Sequence, residues 1–269
     1  MLEFAIQCSI DAGKILLKHY TVSLIAVQKE NISNIVTAAD IESEKFIIEQ
    51  IQAKYPNDGI ISEEYGFINK ESNRIWIVDP LDGTSNFAAG LEWFGVLIAV
   101  IENRMPVVAV AHLPAMGKTY YSQKGIGAFK NGKRISVTSE TVLKNVLCSF
   151  GIDASKPSLL RKQFNVLFQL CRRVRNIRAT NSLVDFCNLA EGLYGCVINF
   201  NTRIWDIVAP CLIVSEAGGK CTQIDGADIW FGYQNDIKSV LHRTYKVIAS
   251  NGHLHKKLLK ICKINKIEG

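Results

Sequence analysis

Long apolar runs are missing from this 269-residue chain: nothing approaches the ~18–20 uncharged residues that a membrane-spanning helix needs. A protein anchored by such a helix is therefore not expected. Metal-thiolate spacing is missing too, because Cys8, Cys148, Cys171, Cys187, Cys196, Cys211, Cys221 and Cys262 contain no C-x-x-C pair. Most stand in apolar stretches, where a free thiol behaves as a small buried hydrophobe, so neither a zinc site nor a secreted disulfide framework is expected. The histidines His19, His112, His242, His253 and His255 show no ligand spacing, and His253 and His255 are read as surface residues. No linker, repeat or low-complexity segment interrupts the chain. Glu3 and Asp11 lie inside an amphipathic opening pattern (Leu2, Ile6, Ile10, Leu16, Leu17), which is wrong for a secretion signal and predicts a first helix ending near Tyr20. A cytoplasmic location is expected.

What is present has globular proportions: 48% apolar residues, 21% charged, and a net charge of +6. Such a length can bury one large core or two intimate subdomains. Basic residues gather on a predicted final helix (Lys256, Lys257, Lys260, Lys263, Lys266) and at Arg172, Arg173, Arg175 and Arg178. A basic patch without interleaved aromatics is weak ground for nucleic-acid binding, so no nucleic-acid partner is expected. The pattern divides near residue 140. Residues 1–140 carry two helices and antiparallel strands at Phe94–Glu102, Val107–Leu113 and Thr119–Ser122, followed by a turn-rich hairpin. Residues 141–269 alternate strands and helices.

The most informative stretch is Ile75-Trp76-Ile77-Val78-Asp79-Pro80-Leu81-Asp82-Gly83-Thr84-Ser85-Asn86-Phe87. A β-branched run reads as a buried strand, which Pro80 and Gly83 are expected to stop. Two carboxylates then sit on a turn beside a hydroxyl and backbone N–H groups. Carboxylate oxygens suit hard divalent cations, and N–H groups that open a helix suit phosphate. Three further acids stand at the edges of apolar elements. Glu63 and Glu64 follow Gly59–Ser62, Asp40 precedes a helix carrying Phe46, Ile47 and Ile51, and Asp206 precedes Ile207, Val208 and Leu212. Taken singly, each has an ordinary reading: a solvated turn, loop charge, a helix N-cap at Asp206, or helix-start chemistry at Thr37–Asp40. Their combination points to metal-assisted phosphate chemistry.

The ordered segments ISEEYG, DPLDGTSNF and WDIVAPCLIVSEAGG resemble the inositol monophosphatase family of magnesium-dependent, lithium-sensitive phosphatases. Upstream, KENISNIVTAAD resembles that family's flexible loop, with Lys29 eleven positions before Asp40. The resemblance implies an αβαβα layered sandwich of the inositol monophosphatase / fructose-1,6-bisphosphatase type, a homodimer, and two to three Mg2+ ions per site. By position, Glu63, Asp79, the Leu81 carbonyl and Thr84 would hold one ion. Asp79, Asp82 and Asp206 would hold a second, and Glu63 would share a third with Glu64 beside it. Asp40 and Thr84 would orient the attacking water, while the Gly83 and Thr84 N–H groups would grip phosphate.

The substrate side departs from the family pattern. A Glu that usually contacts an inositol hydroxyl is Asn199 here, and the usual G-[ST]-A-A reads Asn181-Ser182-Leu183-Val184, with Leu183 adding bulk where Ala leaves room. Asn can donate and accept but lacks the charge of Glu. The expected function is hydrolysis of an inositol phosphate or related small polyol phosphate. The alternatives are fructose 1,6-bisphosphate, histidinol phosphate or a 3′-phosphoadenosine nucleotide, or a fold-retaining regulatory protein that contacts RNA or transcription machinery.

Overall fold

The computed structural model describes residues 1–20, 27–28, 35–68, 72–152, 157–231 and 238–263. In chain order its first half holds α1 (Leu2–Tyr20), β1 (Val27–Gln28), β2 (Ile35–Val36), α2 (Ala38–Lys54), β3 (Gly59–Ser62), β4 (Gly66–Ile68) and β5 (Arg74–Asp82). There follow α3 (Thr84–Ala88), β6 (Gly95–Glu102), β7 (Met105–Leu113), β8 (Lys118–Gln123), β9 (Gly127–Lys130) and β10 (Lys133–Ile135). The second half holds β11 (Leu147–Phe150), α4 (Pro157–Cys171), β12 (Asn176–Arg178), α5 (Leu183–Ala190), β13 (Tyr194–Thr202) and α6 (Ile204–Glu216). It closes with β14 (Lys220–Gln223), α7 (Lys238–Leu241), β15 (Tyr245–Ser250) and α8 (His255–Cys262).

Strands that read as continuous apolar runs are covered on both faces. Along β5, Ile75 and Ile77 point into one apolar layer while Trp76 and Val78 point into another. In β6, Leu97, Ala99 and Ile101 oppose Val96, Ile98 and Val100 in the same way. The first sheet has the order β10-β9-β8-β7-β6-β5-β3-β4 and is antiparallel except for β3 beside β5. The second has the order β12-β11-β13-β15-β14, with β12, β11 and β13 parallel. Helices α1 and α2 cover one face of the first sheet. Helices α5 and α6 lie between the sheets, and α4 and α8 pack on the outer face of the second. The result is the expected αβαβα sandwich.

Several local expectations change. Pro80 does not stop its strand, because β5 continues to Asp82 through a bulge opposite β6. Asp40 lies within the first turn of α2 rather than before it. One aromatic side chain does meet the basic cluster: Phe164 and Phe168 are exposed on α4, and the Arg172 guanidinium sits over the Phe168 ring. All eight cysteines are free, and only Cys171 is exposed. No helix among the described residues is long and apolar enough to cross a membrane.

His255 was expected at the surface but is buried, with Nε2 at 2.9 Å from Thr222 Oγ1 and Nδ1 at 2.8 Å from Ser250 Oγ. The sequence misleads because its neighbours His253, Lys256 and Lys257 are exposed, while position 255 faces the sheet. Burial, aided by the Lys220 charge, pushes the imidazole down to about 4. The unfolded chain therefore takes up this proton first. The stabilising difference is complete above about pH 6.5 and lost as pH falls towards 4. It amounts to at most about 3 kcal/mol. Thermal melts of His255→Gln are expected to lie below wild type at pH 7.5 and to converge with it near pH 4.5. Parallel pH profiles would contradict this.

Candidate active site

The bulge in β5 solves a geometric problem. Residues three apart on a regular strand face opposite sides, so Asp79 and Asp82 could not share a site. Here Asp79 pairs with Leu97 and Asp82 with Gly95, so β5 spends one extra residue between them and re-aims the second acid. Asp79 keeps the parity of Ile75 and Ile77, the face on which α6 lies. Asp206 stands in the first turn of α6, where its Oδ2 accepts the Arg203 N–H at 2.6 Å. The N-cap of α6 is Arg203 and not Asp206, which stands at the third helical position and accepts the cap's N–H, while the same carboxylate also faces β5. Asp79, Asp82 and Asp206 each offer an oxygen within 4.8 Å of the others.

These acids line a cleft of about 600 Å³, together with Glu63, Leu81, Gly83, Thr84, Ser182 and Leu183. Burial first, then the charges of Glu63, Asp82 and Asp206, hold the Asp79 carboxyl well above the usual carboxylate range. Asp82 is pushed up to about 7, again chiefly by burial. So many crowded anions are a poor use of a protein interior unless a cation joins them. The donor set contains only oxygen, which fits a hard divalent cation and not zinc held by thiolates.

Asp40 is buried and committed. Its Oδ2 accepts the Thr37 N–H at 2.8 Å and the Thr37 hydroxyl at 2.6 Å, and its Oδ1 lies 3.3 Å from Thr84 Oγ1. The Thr84 hydroxyl also lies 3.0 Å from the Leu81 carbonyl, so its single proton has two acceptors. Gly83 precedes α3 with φ +84°, and a Cβ there would stand 2.5 Å from the Trp93 carbonyl oxygen. Only glycine fits both demands.

Ser182 caps α5, and the Leu183 N–H donates to Asp82 Oδ1. The Leu183 side chain is buried in the central layer, so the bulk expected to crowd the substrate goes chiefly into the core. Asn199 lines the cleft with its Oδ1 buried and unpartnered, close against Gly151. Asn181 pins the Ile152 backbone through both ends of its amide, and Arg203 and Asn201 complete this side. Glu64 is half-buried and does not line the cleft, while Lys29 lies outside the described residues. Sequence reasoning missed Glu44, whose Oε1 accepts the Glu64 and Tyr65 N–H groups at 2.9 and 3.2 Å. Its spacing of four from Asp40 places both on one face of α2, which was a usable signal.

A five-layer sandwich that gathers acids from β5 and α6 into one cleft is the architecture of the metal-dependent phosphatase sandwiches. The chain belongs to the inositol monophosphatase family, which it matches over residues 1–266. It is 30% identical to a fructose-1,6-bisphosphatase/inositol-1-monophosphatase of Thermotoga maritima, over 97% of this chain and 94% of that protein. It is 34% identical to the Nus factor SuhB of Haemophilus influenzae, over 88% and 90%. The crystal structure of the extragenic suppressor protein suhB from Bartonella henselae superimposes with a TM-score of 0.88 at 29% identity, covering 98% of both chains.

Proposed function

We propose that this protein is a Mg2+-dependent phosphomonoesterase acting on an inositol phosphate or a related small polyol phosphate. The observation that carries the reading is the convergence of Asp79, Asp82 and Asp206 within 4.8 Å in the lining of the cleft. Glu63, Asp79, Asp82, Asp206, Thr84 Oγ1 and the Leu81 carbonyl would hold the ions. Bound there, divalent cations neutralise phosphate charge and make water far more acidic.

The chain's own residues supply the rest. The Gly83 and Thr84 N–H groups, at the start of α3, bind phosphate oxygens. Thr37 satisfies one Asp40 oxygen with two donors, so the other remains aimed at Thr84. The Thr84 hydroxyl can turn from the Leu81 carbonyl to Asp40 Oδ1, so a proton taken from water by Thr84 Oγ1 can be held on Asp40. Asn199, Ser182 and the Asn181-pinned loop receive the alcohol. The protein acts as a homodimer, as its family resemblance implies, and it works in the cytoplasm with no nucleic acid in the reaction.

A panel of phosphomonoesters incubated with Mg2+ tests this reading. Phosphate is expected from at least one small polyol phosphate and from none in chelator; a silent panel would refute it. In Asn199→Glu the preference is expected to move towards inositol phosphates by about tenfold in relative kcat/KM, because the substituted group contacts a substrate hydroxyl. An unchanged ranking would remove Asn199 from the substrate site.

A further inference from the structure

Glu44 is fully buried on α2, and no cationic side chain pairs with it among the described residues. Its Oε1 collects three donors, the Ser62 hydroxyl and the N–H groups of Glu64 and Tyr65, while Oε2 is buried without a partner. An interior carboxylate left half satisfied costs stability, and an apolar side chain of similar volume would serve the core better. What an apolar side chain could not do is hold those two N–H groups. They directly follow Glu63 in the turn between β3 and β4, and the third donor, Ser62, directly precedes it. Packing does not account for this placement, whereas the geometry of Glu63 does.

The rest of that helix face follows the same logic. Asp40, Ser43 and Glu44 occupy positions i, i+3 and i+4, which lie together on a helix surface. Asp40 reaches Thr84, the Ser43 hydroxyl donates to the Pro80 carbonyl at 3.0 Å, and Glu44 reaches the Glu63 turn. One face of α2 thus makes three contacts with the two stretches, 62–65 and 79–84, that carry cation ligands. We propose that Glu44 is a positioning residue that holds the Glu63 turn, and thereby the Glu63 carboxylate, in place for the cation. This rests on the metal reading of the site given above.

Mg2+ titration calorimetry without substrate, run beside thermal melts, separates this role from a merely structural one. Glu44→Asp keeps the charge but withdraws the acceptor by one methylene; its Mg2+ affinity is expected to fall about tenfold or more. Glu44→Gln keeps a carbonyl oxygen at the same reach and should stay within about threefold of wild type. Ser62→Ala, which leaves both N–H contacts, should weaken binding about threefold and serves if the Asp variant does not fold. At saturating Mg2+, kcat of the folded variants should stay near wild type. Affinity within twofold of wild type in Glu44→Asp or, failing its folding, in Ser62→Ala would overturn the proposal. So would a Gln variant as weak as the Asp variant, or a wild-type protein that binds no Mg2+. A wild type that binds Mg2+ yet releases no phosphate refutes the phosphatase reading and leaves this one standing.

Discussion

Asp79→Asn is expected to lower Mg2+-dependent phosphate release by at least ~10³-fold, about 4 kcal/mol of transition-state stabilisation. Asparagine keeps the volume and the oxygen that accepts the Leu81 N–H at 3.1 Å, so the β5 bulge survives. It loses the charge that sits between Asp82, Asp206 and Glu63. The second consequence has the opposite sign. Because burial and neighbouring anions raise the Asp79 carboxyl, its charge works against the folded state when no cation is bound. Acidification through the raised pKa towards the ordinary carboxylate range relieves that penalty, and the neutral amide removes it at every pH. The metal-free variant should therefore melt higher than wild type at pH 8, while the added stability that Mg2+ confers on wild type should vanish. Undiminished turnover, or an unaltered Mg2+ shift in melting temperature, would remove Asp79 from the cation site.

Gly83→Ala is the second large effect. The residue holds φ +84°, which costs a β-carbon about 1–2 kcal/mol. The added methyl would also stand 2.5 Å from the Trp93 carbonyl oxygen and 3.2 Å from Ser182 Cβ. Backbone must move, and Thr84 with its N–H moves with it. A displacement near 1 Å at a reacting group lowers turnover by about 10²-fold. The expected result is a loss of about 2–4 kcal/mol in denaturant unfolding together with that drop in kcat. Gly117→Ala is the internal control. It shares a positive φ of +61° but would meet nothing within 4 Å, so it should lose about 1–2 kcal/mol and keep full activity. Equal kinetic damage in both variants would show that close approach at Gly83 is not the cause.

Much of this molecule was legible along the chain. Ile75–Val78 declared a strand buried on both sides, and the first helix ends at Tyr20 as its apolar spacing predicts. Asp79, Asp82 and Asp206 stood out as acids at the edges of apolar elements. The misses share a cause. Pro80 was read as a stop because a missing N–H usually ends pairing, yet a bulge tolerates that loss when the partner strand resumes one residue later. Glu44 carries no signal in the sequence as a lone residue, because a Glu on a helix is ordinarily solvated and only the turn packed against it supplies its donors. His255 was misjudged by its lysine neighbours, since exposure belongs to a helix face and not to a stretch of sequence.

By itself, the sequence determined the type and approximate extent of the main elements, because apolar periodicity and turn chemistry act over a few residues. It also determined which side chains could carry the chemistry, since donor type is a property of the residue. Only the tertiary structure decided that Asp206 meets Asp79 and Asp82, because that meeting depends on α6 lying between two sheets and on one extra residue in β5. The same holds for the α2 face that braces them: its three contacts reach residues 20 to 44 positions away, a range over which local sequence exerts no force.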